Sequence, residues 1–339
     1  MPREDRVTVA VFGAGRMGTV HAGNVANHSG ATLAGIADVD TDAAERVVRR
    51  LGQGRVDTID GFLNDPAVNA VVIATPTATH VGLIVAAAAA KKPIFCEKPI
   101  SLDVGSTVRA IDACERAGAL LQIGFQRHYD RNFLDARSAI ETGSLGEVRF
   151  IRLVSRDSAP PPIAYLSVSG GQYKDQMVHD FDAARWLFAP ATVDEVTAMG
   201  STLIDRSIAE AGDVDTAVAV LRFSNGAIAV IDASREAAYG YDVRAEIHGS
   251  RGMLLLGADG LKTGVVLDAS FQKPQTDSFI ARFAGAYRSE IADFVDVVAH
   301  GKQPRVQGDD ALQALRIAIA AELSRTNGCT VRLSAVESG

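Results

Sequence analysis

His179 stands four residues after Asp175 in the segment Gly170-Gly-Gln-Tyr-Lys-Asp-Gln-Met-Val-His-Asp-Phe-Asp, and Lys98 sits far upstream in Glu97-Lys98-Pro99. If the later segment is helical, this spacing puts Asp175 and His179 on one face, a turn apart. A carboxylate beside an imidazole holds a general base, and a lysine supplies positive charge to a developing oxyanion. Together they are equipment for taking a proton from a hydroxyl group. The same pair on an exposed helix is only a surface contact, and a lysine before proline only a strand end. The framework around them decides between these readings.

That framework begins with Val7 to Phe12, an apolar and β-branched run ending at Gly13, which is the pattern of a buried parallel strand. A helix is expected from Gly15 to about Asn27. Further strands are expected at Ala31 to Asp38, Ala70 to Ala74, Pro93 to Glu97 and Leu120 to Phe125. Helices over Ala43 to Leu51, Thr79 to Ala90 and Val104 to Ala117 alternate with them. Such alternation predicts a doubly wound parallel sheet, an α/β Rossmann domain over residues 1–126. Right-handed crossovers place its strand C-termini on one edge, where ligands bind.

The remainder, 127–339, reads as a substrate-binding and oligomerisation domain of α+β type. Strands are expected at Val148 to Arg156, Val214 to Phe223, Ala227 to Ala233, Val243 to His248, Gly252 to Leu256 and Gly264 to Leu267. Ser224-Asn225-Gly226 is a hairpin turn, and hairpins without crossover helices mean an open, mainly antiparallel sheet. A helix from near Tyr173 to Phe188 carries the Asp175/His179 pair and is stopped by Pro190. Two last helices, about Phe279 to Ala299 and Asp309 to Asn327, are free to pack back on the first domain. Val218, Val220, Ile228 and Val230 put apolar residues on the sheet face that no helix covers, so a homo-oligomer through that face is expected.

Gly13-Ala14-Gly15-Arg16-Met17-Gly18 matches GxGxxG directly after a strand and at the opening of a helix. Gly13 allows the tight turn, Gly15 the approach of a pyrophosphate, and Gly18 close helix–strand packing. The free N–H groups of the helix, with Arg16 and Met17 in its first turn, then face the phosphates. Asp38 ends the second strand twenty positions after Gly18, where a ribose-binding acid belongs. It favours NAD over NADP, and neither Val39 nor Asp40 supplies a cation for a 2′-phosphate. Thr75 and Pro76 close another strand on the same edge. His80, in the next helix, is read equally as a cofactor contact or a packing histidine.

A charge of −7 with no dense Lys/Arg block argues against nucleic acid. The longest apolar stretch, Val81 to Ala90, falls well short of the ~20 residues a bilayer needs. Cys96, Cys114 and Cys329 are odd in number and widely spaced, which fits neither a disulfide framework nor a metal motif. No second histidine or cysteine stands at ligand spacing from His179, so no metal is expected. A charged start without an apolar region leaves the cytoplasm as the expected location.

The fingerprint, Ala74-Thr75-Pro76, Glu97-Lys98-Pro99 and the Asp175/His179 pair resemble the Gfo/Idh/MocA family of sugar and polyol dehydrogenases across nearly the whole chain. Gly124-Phe-Gln-Arg-His-Tyr-Asp130, Ser155-Arg156-Asp157 with Pro160 to Pro162, Val178-His179-Asp180-Phe181-Asp182, Tyr239-Gly240-Tyr241-Asp242 and Ser250-Arg251-Gly252-Met253 are similar to the subgroup that oxidises inositol at carbon 2. The resemblance implies that Lys98 lies by the nicotinamide, His179 takes the hydroxyl proton, and Asp175 supports it. It also implies cofactor contacts from Glu97, Lys98 and Gln126, and tetramers through the open sheet. Myo-inositol is the substrate so implied, with scyllo-inositol, D-chiro-inositol or an aldose such as glucose as alternatives. A regulator that keeps the fold without catalysis is the reading from another class.

Arg127 and Asp157 are the candidates for fixing an uncharged, many-hydroxyl ring, with Tyr241 beside them. Two positions depart from the subgroup. Phe283 follows Arg282 where a tyrosine is usual, and His128 replaces a second arginine.

Overall fold

The computed structural model describes residues 6–257 and 278–336. The expected strand at Gly264 to Leu267 lies outside the described residues. The chain divides into two compact units, one of residues 1–129 with 285–312, the other of residues 130–284 with 313–339.

The first unit runs β1 (Val7–Phe12), α1 (Arg16–Ala26), β2 (Ala31–Ala37), α2 (Thr41–Leu51), β3 (Arg55–Val56), α3 (Ile59–Asn64), β4 (Ala70–Ile73), α4 (Thr77–Ala89), β5 (Ile94–Glu97), α5 (Val104–Ala117) and β6 (Leu121–Gly124). Its six strands pair in the order β3-β2-β1-β4-β5-β6, all parallel. The strands are apolar on both faces because helices cover both, and β4, β5 and β6 are buried along their whole length. Asp40, Thr58 and Asp103 cap α2, α3 and α5 by accepting from backbone N–H groups of the first turn. Gly52 and Gly118 end α2 and α5 in the left-handed conformation.

The second unit opens with α6 (Arg131–Glu141) and β7 (Val148–Arg156), followed by α7 (Ile163–Ser169), α8 (Gly171–Asp175) and α9 (Val178–Phe188). It continues with β8 (Val193–Ser201), α10 (Arg206–Glu210), β9 (Thr216–Phe223), β10 (Ile228–Ser234), β11 (Asp242–Gly249) and β12 (Met253–Leu256). Then come α11 (Phe279–Arg282), α12 (Ala284–His300), α13 (Gly308–Asn327) and β13 (Val331–Arg332). From Gly285 onward α12 belongs to the first unit, where Ile291, Phe294 and Val295 join Val9, Val11, Val72 and Phe95 in one core cluster. The helix expected over Phe279 to Ala299 is therefore two, interrupted at Phe283.

Seven strands form the second sheet in the order β12-β11-β7-β10-β9-β8-β13. Every pairing is antiparallel except β7 with β10, which run parallel in register from Phe150↔Ile228 to Arg156↔Ser234. One face is closed by α9, whose Phe181, Ala183, Ala184 and Leu187 are buried with Ile151, Leu153, Ala229 and Ile231 of the sheet. Each fully buried leucine, isoleucine or phenylalanine here contributes about 1.5–3 kcal/mol of transfer free energy. The other face carries Val218, Val220, Ile228 and Val230, of which Val220 and Ile228 are each 39% exposed in the single chain. Arg152 and Arg156 bridge to Asp232 on that same face, so it mixes apolar rows with cross-strand ion pairs.

The helix expected from Tyr173 to Phe188 is broken. Glycines at 170 and 171, both at positive φ, start the short α8, and the ladder slips at Gln176 and Met177. There the N–H of Met177 reaches back five residues to the Gln172 carbonyl, at 3.0 Å. The Gln176 side chain causes the slip: it donates to the Ser234 carbonyl at the end of β10 and accepts from Gln172. A one-turn spacing on a continuous helix therefore does not fix how Asp175 and His179 face each other.

Candidate active site

In the first unit the sequence candidates gather on the C-terminal edge of the parallel sheet. Gly13 follows β1 at φ +104°, and a Cβ there would lie 2.5 Å from the Ala74 carbonyl oxygen. A Cβ at Gly18 would collide with the Gly13 carbonyl, so the α1 backbone sits directly against the loop. Gly15 differs: a Cβ there would meet nothing within 4 Å. This is the open approach a pyrophosphate requires, in front of a helix N-terminus with no side-chain cap. The residues fit a dinucleotide. Asp38, one residue past β2, accepts from the Ala14 N–H at 2.5 Å and from the Asp40 N–H at 2.8 Å. Its carboxylate is thus anchored beside the glycine loop.

Thr75 and Pro76 lead into α4, and the Thr75 hydroxyl pairs with that of Thr79 at 2.7 Å. His80 is buried with Nε2 2.8 Å from the Thr75 carbonyl and Nδ1 2.8 Å from the Pro99 carbonyl. Burial lowers its pKa, against the pull of those two carbonyls. Each ring nitrogen faces a backbone oxygen, and a neutral imidazole donates to one of the two. His80 braces the loop after β4 against the loop after β5.

Glu97, the next of these candidates, has intramolecular partners for both carboxylate oxygens. It is buried at the end of β5, with Oε1 2.7 Å from His21 Nε2 and Oε2 accepting the Lys98 backbone N–H at 3.2 Å. The carboxylate faces α1 and the following backbone. Gln126, Arg127 and His128 lie in a single buried turn after β6. The Gln126 amide donates to the Tyr287 hydroxyl at 3.3 Å, and Arg305 donates to the His128 carbonyl at 3.1 Å.

In the second unit a different edge collects the candidates. β7 and β10 end level at Arg156 and Ser234, and Asp242 of β11 also pairs with Arg156. Asp157, Arg235 and Tyr241 are the residues just beyond these ends. The Ser234 carbonyl accepts from both the Asp157 N–H, at 3.0 Å, and the Gln176 amide, at 3.2 Å, which draws the α8–α9 turn to the same place. Asp175 ends α8, where it accepts from the Tyr165 hydroxyl at 2.9 Å and lies 3.4 Å from Arg235 Nη1. His179 is half-buried in the first turn of α9. Next to it, Asp180 is fully buried and accepts from the Ser155 hydroxyl at 2.8 and 3.0 Å.

Arg235 is the residue that sequence reasoning missed. It is 1% exposed and holds Asp175 on one side and Asp213, at 3.2 Å, on the other. In sequence it looks like any charged residue at a strand end, and no motif marks it. Tyr241 packs edge-on to Phe283, 6.4 Å between ring centroids. Phe283 is buried under the guanidinium of Arg282, which pairs with Asp130 at 2.7 Å. The ring that lacks the subgroup's usual hydroxyl therefore sits against a substrate candidate.

A parallel sheet in the order 3-2-1-4-5-6, with the glycine loop and Asp38 on its ligand edge, defines the first unit as a dinucleotide-binding oxidoreductase domain. Residues 7–125 match the oxidoreductase family with an NAD-binding Rossmann fold, and residues 133–255 match the GFO/IDH/MocA C-terminal domain. The chain belongs to the GFO/IDH/MocA family of NAD-binding oxidoreductases. It is 40% identical over 333 residues to a myo-inositol 2-dehydrogenase of Thermotoga maritima, covering 97% of this chain and 99% of that one. The crystal structure of a myo-inositol dehydrogenase from Corynebacterium glutamicum superposes with a TM-score of 0.89 at 33% identity, over 97% and 99% of the two chains. That of scyllo-inositol dehydrogenase from Lactobacillus casei, with bound NAD(H) and scyllo-inositol, gives 0.87 at 28% identity, over 97% and 99%.

Proposed function

We propose that this protein oxidises myo-inositol to 2-keto-myo-inositol with NAD, His179 acting as the general base. The observation that carries the reading is the collection of Asp157, Asp175, Tyr241 and the His179 turn at one sheet edge, in a chain similar over its whole length to inositol dehydrogenases. NAD supplies the hydride acceptor when bound, held by Gly13, Gly15, Arg16, Met17 and Gly18, by Asp38 at the ribose, and by Thr75, Pro76 and Gln126. Lys98 hydrogen-bonds the hydroxyl undergoing oxidation and stabilises the negative charge that grows on its oxygen. His179 takes the hydroxyl proton as general base. Asp175, fixed by Tyr165 and Arg235, orients that histidine or binds the neighbouring hydroxyl. Arg127, Asp157 and Tyr241 fix the ring.

Scyllo-inositol is the second reading, favoured by the likeness to the Lactobacillus casei enzyme. Adding myo-, scyllo- and D-chiro-inositol and glucose in turn, with NAD and then NADP, and following NADH absorbance, separates these cases. Turnover with myo-inositol supports the leading reading. Turnover with none of them, despite intact NAD binding, would make the protein a regulator.

The exposed sheet face with Val220 and Ile228 supports assembly into a homo-oligomer, a tetramer by family resemblance. A monomer in sedimentation at micromolar concentration removes that part. Among the described residues no helix is long and apolar enough to cross a membrane. Three free cysteines support a cytoplasmic place.

A further inference from the structure

His21, Glu97 and Glu290 each present one side-chain atom within 4.8 Å of the others, and all three residues are buried. They come from α1, from the end of β5 and from α12, so three distant segments meet behind the strand end that carries Lys98. Glu97 has two donors, the His21 ring at 2.7 Å and the Lys98 N–H at 3.2 Å. Glu290 has none: among the described residues neither carboxylate oxygen meets a hydrogen-bond partner, and Gln122 donates only to its backbone carbonyl. The rings of Phe95 and Tyr287 stand edge-on to His21, at 5.1 and 6.1 Å between centroids.

Two carboxylates this close in a buried site cannot both stay ionised. The carboxyl that no donor reaches is the one that takes the proton. Burial first, and then the charge of Glu97, push the Glu290 carboxyl well above the usual carboxylate range.

We propose that His21 and Glu290 are positioning residues for Lys98, forming with Glu97 a buried cluster in which Glu290 is the neutral acid. His21 orients the Glu97 carboxylate by donating to one oxygen. The other oxygen then holds the backbone N–H of Lys98 and so fixes where its ammonium group points. A charged Glu290 would compete with Glu97 for the available protons and loosen that bond. This inference rests on the catalytic reading of Lys98 given above.

Infrared spectra of the full-length protein at neutral pH test the protonation state without turnover. A carbonyl stretch of a protonated carboxylic acid is expected in the wild type and is lost in Glu290→Gln. Absence of the band, or its persistence in Glu290→Gln, overturns the assignment. So does elemental analysis finding one tightly bound divalent cation per chain, since a cation there needs both carboxylates ionised.

Kinetics test the positioning role. His21→Leu is expected to lower kcat about tenfold while leaving NAD affinity, read by fluorescence titration, within about twofold. His21→Gln, whose amide still donates to Glu97, recovers to within about threefold of wild type. In a Lys98→Ala background His21→Leu has little further effect on residual turnover. Equal kcat in His21→Gln and His21→Leu, or an undiminished His21→Leu effect without Lys98, refutes positioning. If the wild type turns over no polyol, the catalytic reading fails, while the infrared result still judges the cluster.

Discussion

The two units hold their candidate residues by different means. In the first, the glycine loop is set by close backbone contacts: Gly13 and Gly18 bring chain against chain, Asp38 ties to the Ala14 N–H, and His80 stands between two loop carbonyls. In the second, buried side chains do it. Gln176 pulls the α8–α9 turn to β10, and Arg235 sits between Asp175 and Asp213. A glycine loop packed this closely is broken by changes of shape, and a set of buried ions by changes of charge.

Breaking the buried ion set of the second unit should give the largest effect. Arg235→Leu leaves Asp175 and Asp213 without their guanidinium, and removing one member of a buried pair costs about 3–5 kcal/mol. A large drop in Tm is expected, smaller for Arg235→Lys. An unchanged Tm would show the second unit to be held as the first is.

His179→Ala is expected to lower kcat at least ~100-fold with NAD affinity nearly unchanged. Near-normal turnover, read by NADH absorbance, removes His179 from the chemistry.

On the other side of the comparison, Asp38→Ala should weaken NAD about tenfold and narrow the gap to NADP, because a charged acceptor is lost at the glycine loop. Titration of both cofactors by fluorescence checks this. A wider preference for NAD would contradict the role of Asp38.

The smallest effect concerns His80. Its pKa is lowered by burial from the ordinary 6.5, so the unfolded chain holds the extra proton. Its contribution to stability is then complete above that value and is lost as pH falls from it through the lower folded value. Urea unfolding from neutral pH down to mildly acidic pH should show a shallower loss in His80→Gln than in wild type, by at most about 1.4 kcal/mol per pH unit. Equal slopes would mean that His80 takes up its proton at the same pH folded and unfolded.

The same contrast explains what was legible in the sequence. β1, α1 and the glycine loop are local: an apolar run, three glycines and an acid twenty residues on carry their own geometry. The short β3 escaped notice because two residues make no pattern. In the second unit β8 was missed although its burial alternates, because Asp194, Glu195 and Gly200 blur the apolar run. The α8–α9 break was missed because its cause, the Ser234 carbonyl, is 58 residues from Gln176. Arg235 was missed for the same reason, since its partners lie 60 and 22 residues away. Glu97 was recognised by motif, but a motif does not say which way a carboxylate turns.

The parallel pairing of β7 and β10 has a consequence for how this protein can change. Two parallel neighbours cannot be joined by a hairpin, so the chain between them must return along the sheet. The α8–α9 turn lies in that return, together with β8 and β9. It is therefore not a loop that can be lengthened, trimmed or exchanged between relatives without rethreading the sheet. The 224–226 turn, by contrast, joins two neighbouring antiparallel strands directly. New ring preferences drawn from that segment should arise by single substitutions on a fixed path and not by loop grafting.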